Sequence, residues 1–477
     1  AMGKNALVAN TTASNNTAVG YSALAANTDG FSNTAFGSRA GDAITTGDYN
    51  TAIGNLALSA ETTGAQSVAI GHGALTTQNS TTSADMFNVA VGNSAMEANT
   101  TGAYNTAVGK GALAANTTAN SNTAVGYTSL DANTTGASNT AVGQAALGAN
   151  TTASDNAAFG KNALAVNTTG TANTSLGSYS LAANTTADNN TAVGMSALTA
   201  NTTGANAVAV GKGALTANTT ANDIVAVGYN ALTANTTGSN NVAVGGVALT
   251  TNTTGQFNVA VGESALRYAT TASSNTGVGS NALGSSTTGA DNTAVGYGCL
   301  DTVTTGSDNT AVGKNVDADA TGAASRLGFG GSLTLTTNSQ VRIGVSTNFV
   351  YNNFASNATW THSSDERLKE NIKDDVLGLS FINYLRPVTY SWKKQIDVPK
   401  EIRSDREKDT DVKQHGMLAQ EVKAALDKVG VDTFAGWSEE KDGIQMISEE
   451  MFVFPLIKAI QELSAEVEQL KSKAHDK

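Results

Sequence analysis

The sequence is poor in cysteine, proline and aromatic residues: its 477 residues include one cysteine, three prolines and three tryptophans. The lone Cys299 cannot form an intrachain disulfide, and the chain lacks the Cys/His clustering that a structural zinc site requires. No run of 18 or more apolar residues is present, so no membrane insertion is expected. We likewise expect no metal ion and no cofactor.

Basic residues are scarce before residue 331. Residues 1–330 contain 8 Lys/Arg and 16 Asp/Glu, whereas residues 331–477 contain 19 and 23. Because both parts are acidic, no nucleic-acid partner is expected, since such a partner needs a basic surface. All prolines and tryptophans lie after residue 330, so the chain has at least two parts.

A 17-residue repeat dominates the first part. Each copy contains a glycine that closes an Ala-Val-Gly-like triplet, and one interval of 21 residues marks a four-residue insertion around Asn79 to Phe87. Such periodicity is typical of a solenoid in which each copy forms one turn. The 19 glycines are Gly3, Gly20, Gly37, Gly54, Gly71, Gly92, Gly109, Gly126, Gly143, Gly160, Gly177, Gly194, Gly211, Gly228, Gly245, Gly262, Gly279, Gly296 and Gly313.

The composition of the repeat favours β-structure. The copy at residues 16–32, NTAVGYSALAANTDGFS, is short and rich in Asn, Thr and Gly, whereas an α-solenoid needs longer copies of helix formers. We predict an all-β body, one β-roll or β-solenoid turn per copy, with Asn-Thr-Ala-Val as the strand and Ala-Leu as a second wall. Because the copy offers little apolar volume beyond Val19 and Leu24, we expect three chains to share the interior.

The strand motif resembles the head repeats of trimeric autotransporter adhesins, whose copies are usually shorter. The resemblance covers residues 1–315 and implies a trimeric β-roll fibre body. The residue after each Ala-Val-Gly varies widely, as at Tyr21, His72, Lys110 and Glu263. This variation predicts a solvated stripe, whose tyrosines are candidates for contact with a receptor glycan.

The composition changes after residue 315. Residues 316–362 are predicted to form a β-rich neck, and residues 363–477 a charged α+β domain whose tail, residues 451–474, is a helix. Apolar residues in this helix alternate at spacings of three and four, which predicts a coiled coil. Its seam consists of Leu456, Ile460, Leu463, Val467 and Leu470. The other predicted elements are strands at 332–336 and 340–345, a capped short helix after Ser364, strand and turn at 381–392, a helix at 417–429 and a strand edge at 443–448.

Residues 361–477 closely resemble the endosialidase-type intramolecular chaperone, a C-terminal domain of many phage tail fibres and tailspikes. The resemblance rests on four motifs in the order SSDERLKENI, YLRPVTYSW, HGMLAQEV and PLIKAIQELSAEVEQLK. It implies a domain that trimerises, nucleates folding of the preceding β-structured stalk and is then released by self-cleavage. It also implies a catalytic dyad of Ser364 and Lys369 and a scissile bond between Ser363 and Ser364.

The chemistry of this segment can also be weighed from its residues. A lysine acts as a base toward a serine only if burial or a neighbouring cation lowers its pKa, and Arg367 lies near Lys369 in sequence. A nucleophile beside its own scissile bond needs no substrate binding. The alternative is that this segment has no catalytic role and is only the capped, solvent-exposed start of a helix. The auxiliary candidates are Asp365, Arg367 and His415, the last of which could instead pack near Trp392.

These observations predict a homotrimeric fibre or adhesin for cell-surface attachment, on a virion tail fibre or a bacterial surface. Its receptor is unknown, with a glycan as one candidate, and we expect an anchoring segment to precede the chain. One alternative is a bacterial adhesin that retains the C-terminal domain as a tip or cap. Another is an autoproteolytic enzyme with the repeat body as passive cargo; no activity on external substrates is expected.

Overall fold

The computed structural model describes residues 1–80, 84–354, 361–362, 366–399, 411–440 and 443–475. The chain divides into two compact units, residues 1–363 and 364–477. The first is an all-β solenoid of about 19 turns with a 17-residue period, and the second is a small α+β unit that ends in a long helix. The predicted fold class, a β-solenoid followed by an α+β domain, is confirmed at this level.

Each solenoid turn contributes one three-residue strand, most often Thr-Ala-Val or Val-Ala-Val, whose β-branched residues suit a pleated surface. Neighbouring strands pair in parallel and in register, so that Thr123 lies opposite Thr140 and Val125 opposite Val142. The strands are β1 (Thr17–Val19), β2 (Thr34–Phe36), β3 (Thr51–Ile53), β4 (Val68–Ile70), β5 (Val89–Val91), β6 (Thr106–Val108), β7 (Thr123–Val125), β8 (Thr140–Val142), β9 (Ala157–Phe159), β10 (Thr174–Leu176), β11 (Thr191–Val193), β12 (Val208–Val210), β13 (Val225–Val227), β14 (Val242–Val244), β15 (Val259–Val261), β16 (Thr276–Val278), β17 (Thr293–Val295) and β18 (Thr310–Val312).

The interior of the solenoid is closed by residues of a single chain. In one representative turn, Ala124 of the strand, Leu130 and Asn133 are all fully buried. The predicted second wall is not a strand: Leu130 lies in a turn with a left-handed φ of 52° and points inward. The expectation that three chains share the interior is therefore wrong for this fold, because small alanines let one chain coil tightly enough to exclude water.

Two columns of asparagine follow the solenoid inside its turns. Asn139 donates from Nδ2 to the carbonyl oxygen of Ala153 at 2.8 Å, and its Oδ1 accepts from the backbone N–H of Asn156 at 3.0 Å. Asn133, in the second column, donates to Asn116 Oδ1 at 3.0 Å. Buried backbone groups that the short strands leave unpaired are thus satisfied by side chains, which explains the asparagine content of the repeat.

Replacing Asn139 by alanine should lower the free energy of unfolding by about 1–3 kcal/mol, because it leaves the buried N–H of Asn156 without a partner. The carbonyl oxygen of Ala153 keeps its bond from Asn150. The measurement is the shift in midpoint of urea-induced unfolding. Asn93→Ala is the matched control, since Asn93 is exposed and should change the midpoint little. Equal shifts for the two variants would contradict a stabilising role for the column.

The repeat ends in a capped segment. Arg326 takes the place of the column asparagine, is only 6% exposed, and donates to Asp319 Oδ1 at 2.6 Å and to Asn338 Oδ1 at 3.1 Å. The remaining strands of this unit are β19 (Asp317–Ala318), β20 (Leu327–Gly331), β21 (Thr334–Leu335), β22 (Gln340–Val345), β23 (Asn348–Asn353) and β24 (Thr361–His362). Strand β20 extends the parallel stack to β22, and β22, β23 and β24 pair antiparallel.

Cys299 lies in the solenoid core, as its place among alanines predicts. It is fully buried, and its Sγ donates to the carbonyl oxygen of Ala311 at 3.3 Å. Burial raises the pKa of the Cys299 thiol to about 12. The thiol is therefore a packing group, not a nucleophile.

In its described residues, the second unit contains three α-helices, two short antiparallel strand pairs and an apolar core. Phe381, Val422 and Phe452 are at most 4% exposed. Phe381 belongs to a helix, so the prediction of strand and turn over 381–392 is wrong at its start. The elements are a 3₁₀ turn (Glu366–Leu368), α1 (Leu379–Ile382), β25 (Val388–Tyr390), a 3₁₀ turn (Gln395–Asp397), β26 (Gln414–Gly416), α2 (Ala419–Val429), β27 (Trp437–Glu439), β28 (Gln445–Ile447), a 3₁₀ turn (Glu449–Phe452) and α3 (Val453–His475). Within the described ranges, no helix combines the length and apolar character needed to cross a membrane.

Candidate functional site

The segment of the predicted catalytic dyad is only partly described. Ser363, Ser364 and Asp365 lie outside the described residues. The chain then forms the 3₁₀ turn Glu366–Leu368, where the backbone N–H of Lys369 donates to the carbonyl oxygen of Glu366 at 3.0 Å. The expected helix after Ser364 is thus a single tight turn in the described part.

Lys369 and Arg367 are both exposed in this unit. Burial, one of the two effects that would make a lysine a base, does not act on Lys369 in the single chain. Arg367, two residues away in sequence, is a candidate for the second effect, a neighbouring cation. The lysine of the predicted dyad is thus solvent-exposed in the single chain.

His415, the third candidate, lies on strand β26. It is exposed and pairs in register with Thr389 of β25, so it belongs to the hairpin that joins two of the sequence motifs. In the same hairpin, Tyr390 and Trp392 make an edge-to-face contact with ring centroids 5.4 Å apart. A role of His415 in polarising Ser364 stays a prediction.

An ion pair joins the motifs YLRPVTYSW and HGMLAQEV. Arg386 donates from Nε to Glu421 Oε2 at 3.2 Å and from a terminal nitrogen to Oε1. The fork-shaped contact lowers the pKa of Glu421 and raises that of Arg386. Both side chains are solvent-accessible, so the pair contributes orientation more than stability.

The aromatic core behind these motifs is continuous. Phe434 contacts Phe381 and Phe452 edge-to-face, with ring centroids 5.9 and 5.2 Å apart. Glu462 of α3 accepts the backbone N–H of Leu379 at 2.7 Å, at the start of α1. The core thus fixes α1 against α2 and against the first turns of α3, where Pro455 and Ala459 are the buried residues.

The seam of α3 is exposed in the single chain. The predicted coiled-coil residues have exposed fractions of 45% for Leu456, 65% for Ile460, 49% for Leu463, 40% for Val467 and 64% for Leu470. Five large apolar side chains on one helix face are thus exposed to water in the single chain, which is unusual for a helix without a partner.

The outer face of the solenoid sheet is a second unpartnered surface, which we call the sheet stripe. It consists of the third residue of strands β1 to β18, which is Val, Ile, Phe or Leu in every strand. Phe36, Ile53, Phe159 and Leu176 are 37–58% exposed. Eighteen stacked apolar residues approach the roughly 20–30 residues that one partner contributes to a standard protein interface.

The chain is a β-solenoid followed by a C-terminal α+β domain that ends in a long helix with an exposed apolar face. Residues 364–431 match the model of the protein family described as the chaperone of endosialidase. The match includes the first three sequence motifs and ends before α3, and it confirms the resemblance recognised at the C-terminus. No curated protein and no solved structure matches the chain.

Proposed function

We propose that the chain is the subunit of a homotrimeric extracellular fibre that serves attachment to a cell surface, carried on a virion or on a bacterium. Residues 1–315 would form the fibre body, residues 316–362 its neck, and residues 363–477 the domain that drives trimerisation and folding. The match of residues 364–431 to the chaperone of endosialidase is the observation that carries the proposal.

The repeat itself creates the need for such a domain. Consecutive solenoid turns are so similar that two chains joined along the sheet stripe could slip by one turn at little energetic cost. Contacts between chains are also non-local and therefore slow to form. An assembly helix such as α3, which associates first, would fix the register before the solenoids pack.

The proposed number of three chains rests on the resemblance to the endosialidase-type chaperone and not on the residues of the coiled-coil seam. Ile460 and Val467 occupy the first core position of each heptad, and Leu463 and Leu470 the fourth, a distribution that favours two strands in isolated coiled coils. In our proposal the chaperone domain and the sheet stripe override this preference. Sedimentation equilibrium of the full chain distinguishes a trimer from a dimer directly.

We further propose that the domain is released by self-cleavage between Ser363 and Ser364. Ser364 Oγ would attack the carbonyl carbon of Ser363 while Lys369 Nζ takes the hydroxyl proton and returns it to the departing Ser364 nitrogen. Water would then hydrolyse the resulting ester, leaving a carboxylate on Ser363 and a free amine on Ser364. Because Lys369 is exposed in the single chain, the burial that activates it would have to come from assembly.

Denaturing mass spectrometry of freshly purified protein tests the cleavage. We expect two fragments divided between Ser363 and Ser364, whose masses together exceed that of the intact chain by one water. Ser364→Ala should abolish the fragments but leave the assembly mass unchanged, because folding does not need the hydroxyl. Ser380→Ala, at an exposed serine of the same unit, is the control and should cleave normally. Fragments that persist in Ser364→Ala would contradict the assigned nucleophile.

The two alternative functions give different results in the same samples. A full-length mass in an assembled trimer indicates an adhesin that retains its C-terminal domain as a tip or cap. Cleavage by a chain that never assembles indicates an autoproteolytic enzyme with the solenoid as cargo. Deleting residues 364–477 adds a test of the folding role, which requires the deleted chain to aggregate or to stay monomeric.

A further inference from the structure

One position of the solenoid turn has a left-handed backbone in copy after copy. It immediately precedes an asparagine column, and we call it the pre-ladder position. Most copies place a small polar residue there, such as Ser138, Asp155 or Asn189, with φ near 60°. Asparagine and aspartate tolerate this conformation, whereas bulky side chains adopt it at a cost.

Four copies in the described part of the chain carry an aromatic residue at the pre-ladder position. Three of them, Tyr49, Phe87 and Tyr104, occupy three of four consecutive turns around the four-residue insertion, and Phe257 lies far along the stack. Their φ angles are between 48° and 61°. At the pre-ladder position, the cost of a bulky residue is therefore met mainly in one short stretch of the solenoid.

The fold gains little from these rings. Tyr49 is 55% exposed, Phe87 41% and Tyr104 60%, so each leaves much of its apolar surface in water. Phe87 and Tyr104 stack with centroids 5.4 Å apart, and Tyr49 meets Phe31 of the preceding turn edge-to-face at 4.9 Å. Three of the four paired rings, Tyr49, Phe87 and Tyr104, occupy a position that disfavours them, and all are exposed, which indicates a role outside folding.

The aromatic cluster, Phe31, Tyr49, Phe87 and Tyr104, differs from the sheet stripe in its distribution along the solenoid. The stripe recurs in all 18 strands, as a contact between identical repeating chains requires, whereas the aromatic pairs are confined to residues 31–104. A contact between two solenoids in register would use every turn alike. The cluster is thus suited to a partner other than the solenoid itself.

The surroundings of the rings specify the chemistry of that partner. Gln66, partly exposed, occupies the pre-ladder position between Tyr49 and Phe87 and offers an amide donor and acceptor. Asp48 and Asp85 flank the rings in sequence, and residues 1–330 carry twice as many acidic as basic residues. Flat rings beside amide and carboxylate groups match the apolar faces and hydroxyls of pyranose sugars, while the negative charge repels anionic ones.

We propose that Phe31, Tyr49, Phe87 and Tyr104 form a binding platform for a neutral polysaccharide. The platform deepens the proposed attachment function and rests on it for its biological setting. The rings stack on successive sugar units along the solenoid, and Gln66 bonds hydroxyls between them. The tyrosines after the Ala-Val-Gly triplets, such as Tyr21, belong to a different column and are not part of the platform.

Affinity electrophoresis of the full chain tests the platform, with dextran, mannan and galactan as neutral probes and polysialic acid as the anionic one. We expect at least one neutral probe to retard the protein and polysialic acid to leave its mobility unchanged. The variant Tyr49→Asn/Phe87→Asn/Tyr104→Asn should lose at least about tenfold in affinity. It should unfold at the same or a higher temperature, because asparagine accepts a positive φ more readily.

Phe257→Asn is the matched control, since Phe257 is 59% exposed at the same position of a distant turn. It should bind as the unaltered chain does. Failure of all neutral probes, stronger retardation by polysialic acid, or equal affinity of the triple variant would overturn the proposal. A change in assembly mass of the triple variant would also overturn it, by assigning the rings to a contact between copies. If the protein assembles but binds no probe, only the proposed platform is refuted. If it binds a neutral probe but stays monomeric, only the proposed fibre is refuted.

Discussion

Replacing Gly126 by alanine should unfold the solenoid locally and lower its stability by about 3–5 kcal/mol. Gly126 follows strand β7 with a φ of 140°, a conformation that residues with a Cβ rarely adopt. A Cβ at this position would lie 2.5 Å from the carbonyl oxygen of Gly143 in the next turn. The atom that the Cβ would meet belongs to the backbone, so no side-chain movement can relieve the clash. Gly143 in turn packs against Gly160 in the same way, which leaves its backbone little room to shift. The backbone stack itself must open.

Amide hydrogen exchange measures this effect best, because a repeat structure can unfold locally. We expect loss of protection in the turns on either side of Gly126, with distant turns unchanged. Gly246→Ala is the control: Gly246 is also in the stack, but no heavy atom lies within 4 Å of its would-be Cβ and its φ is not in the positive range. That substitution should be neutral or slightly stabilising. Full protection around Gly126→Ala would contradict the glycine column.

The repeat period was sufficient to predict the solenoid, because a 17-residue spacing kept in 17 of the 18 intervals leaves few other ways to bury the recurring Ala and Leu. The left-handed conformation of Leu130 and its equivalents could not be predicted. Leucine avoids positive φ in most settings, and here the tertiary burial of its side chain outweighs the local cost. The sequence therefore indicated the Ala-Leu wall but not that its backbone would be a turn.

The expectation that three chains share one interior failed because it considered only the apolar volume of each copy. Asn133 and Asn139 fill space inside the solenoid while satisfying buried backbone groups, so a turn with few large side chains still closes on itself. The sequence placed Asn139 at the start of the predicted strand, and it gave no sign that either asparagine would be buried and bond to the backbone inside the solenoid. The apolar residues that remain for assembly, such as Phe36 and Leu176, lie on the outside.

In the second unit, the order of the sequence motifs predicted the α+β domain, but the local sequence pattern predicted a strand at Phe381, where the structure has a helix. The run around Phe381 is too short for a helical period to be recognised, and only its packing against Phe434 and Phe452 makes α1 evident. The exposed rings of Tyr49 and Phe87 were missed for another reason. Aligning the copies would have shown aromatic residues in a polar column, but their exposure and pairing needed the structure.

Placing charges on the seam of α3 should abolish assembly. We expect Ile460→Glu/Leu463→Glu to be monomeric at concentrations at which the unaltered chain is assembled. Each large apolar side chain buried between chains is worth roughly 1.5–3 kcal/mol, so losing two weakens association by about a hundredfold to ten-thousandfold per chain. Both residues are exposed in the single chain, so the fold of the second unit should survive.

Gln461→Glu/Ser464→Glu adds the same charge to exposed positions of the same helix off the seam, and it should assemble normally. Sedimentation equilibrium gives the mass of each variant, and far-ultraviolet circular dichroism checks that helix content is retained. If the domain guides folding of the solenoid, the seam variant should also accumulate less protected solenoid than the control does. An unchanged assembly mass would show that the sheet stripe, without the helix, holds the chains together, and the order of assembly proposed above would then be reversed.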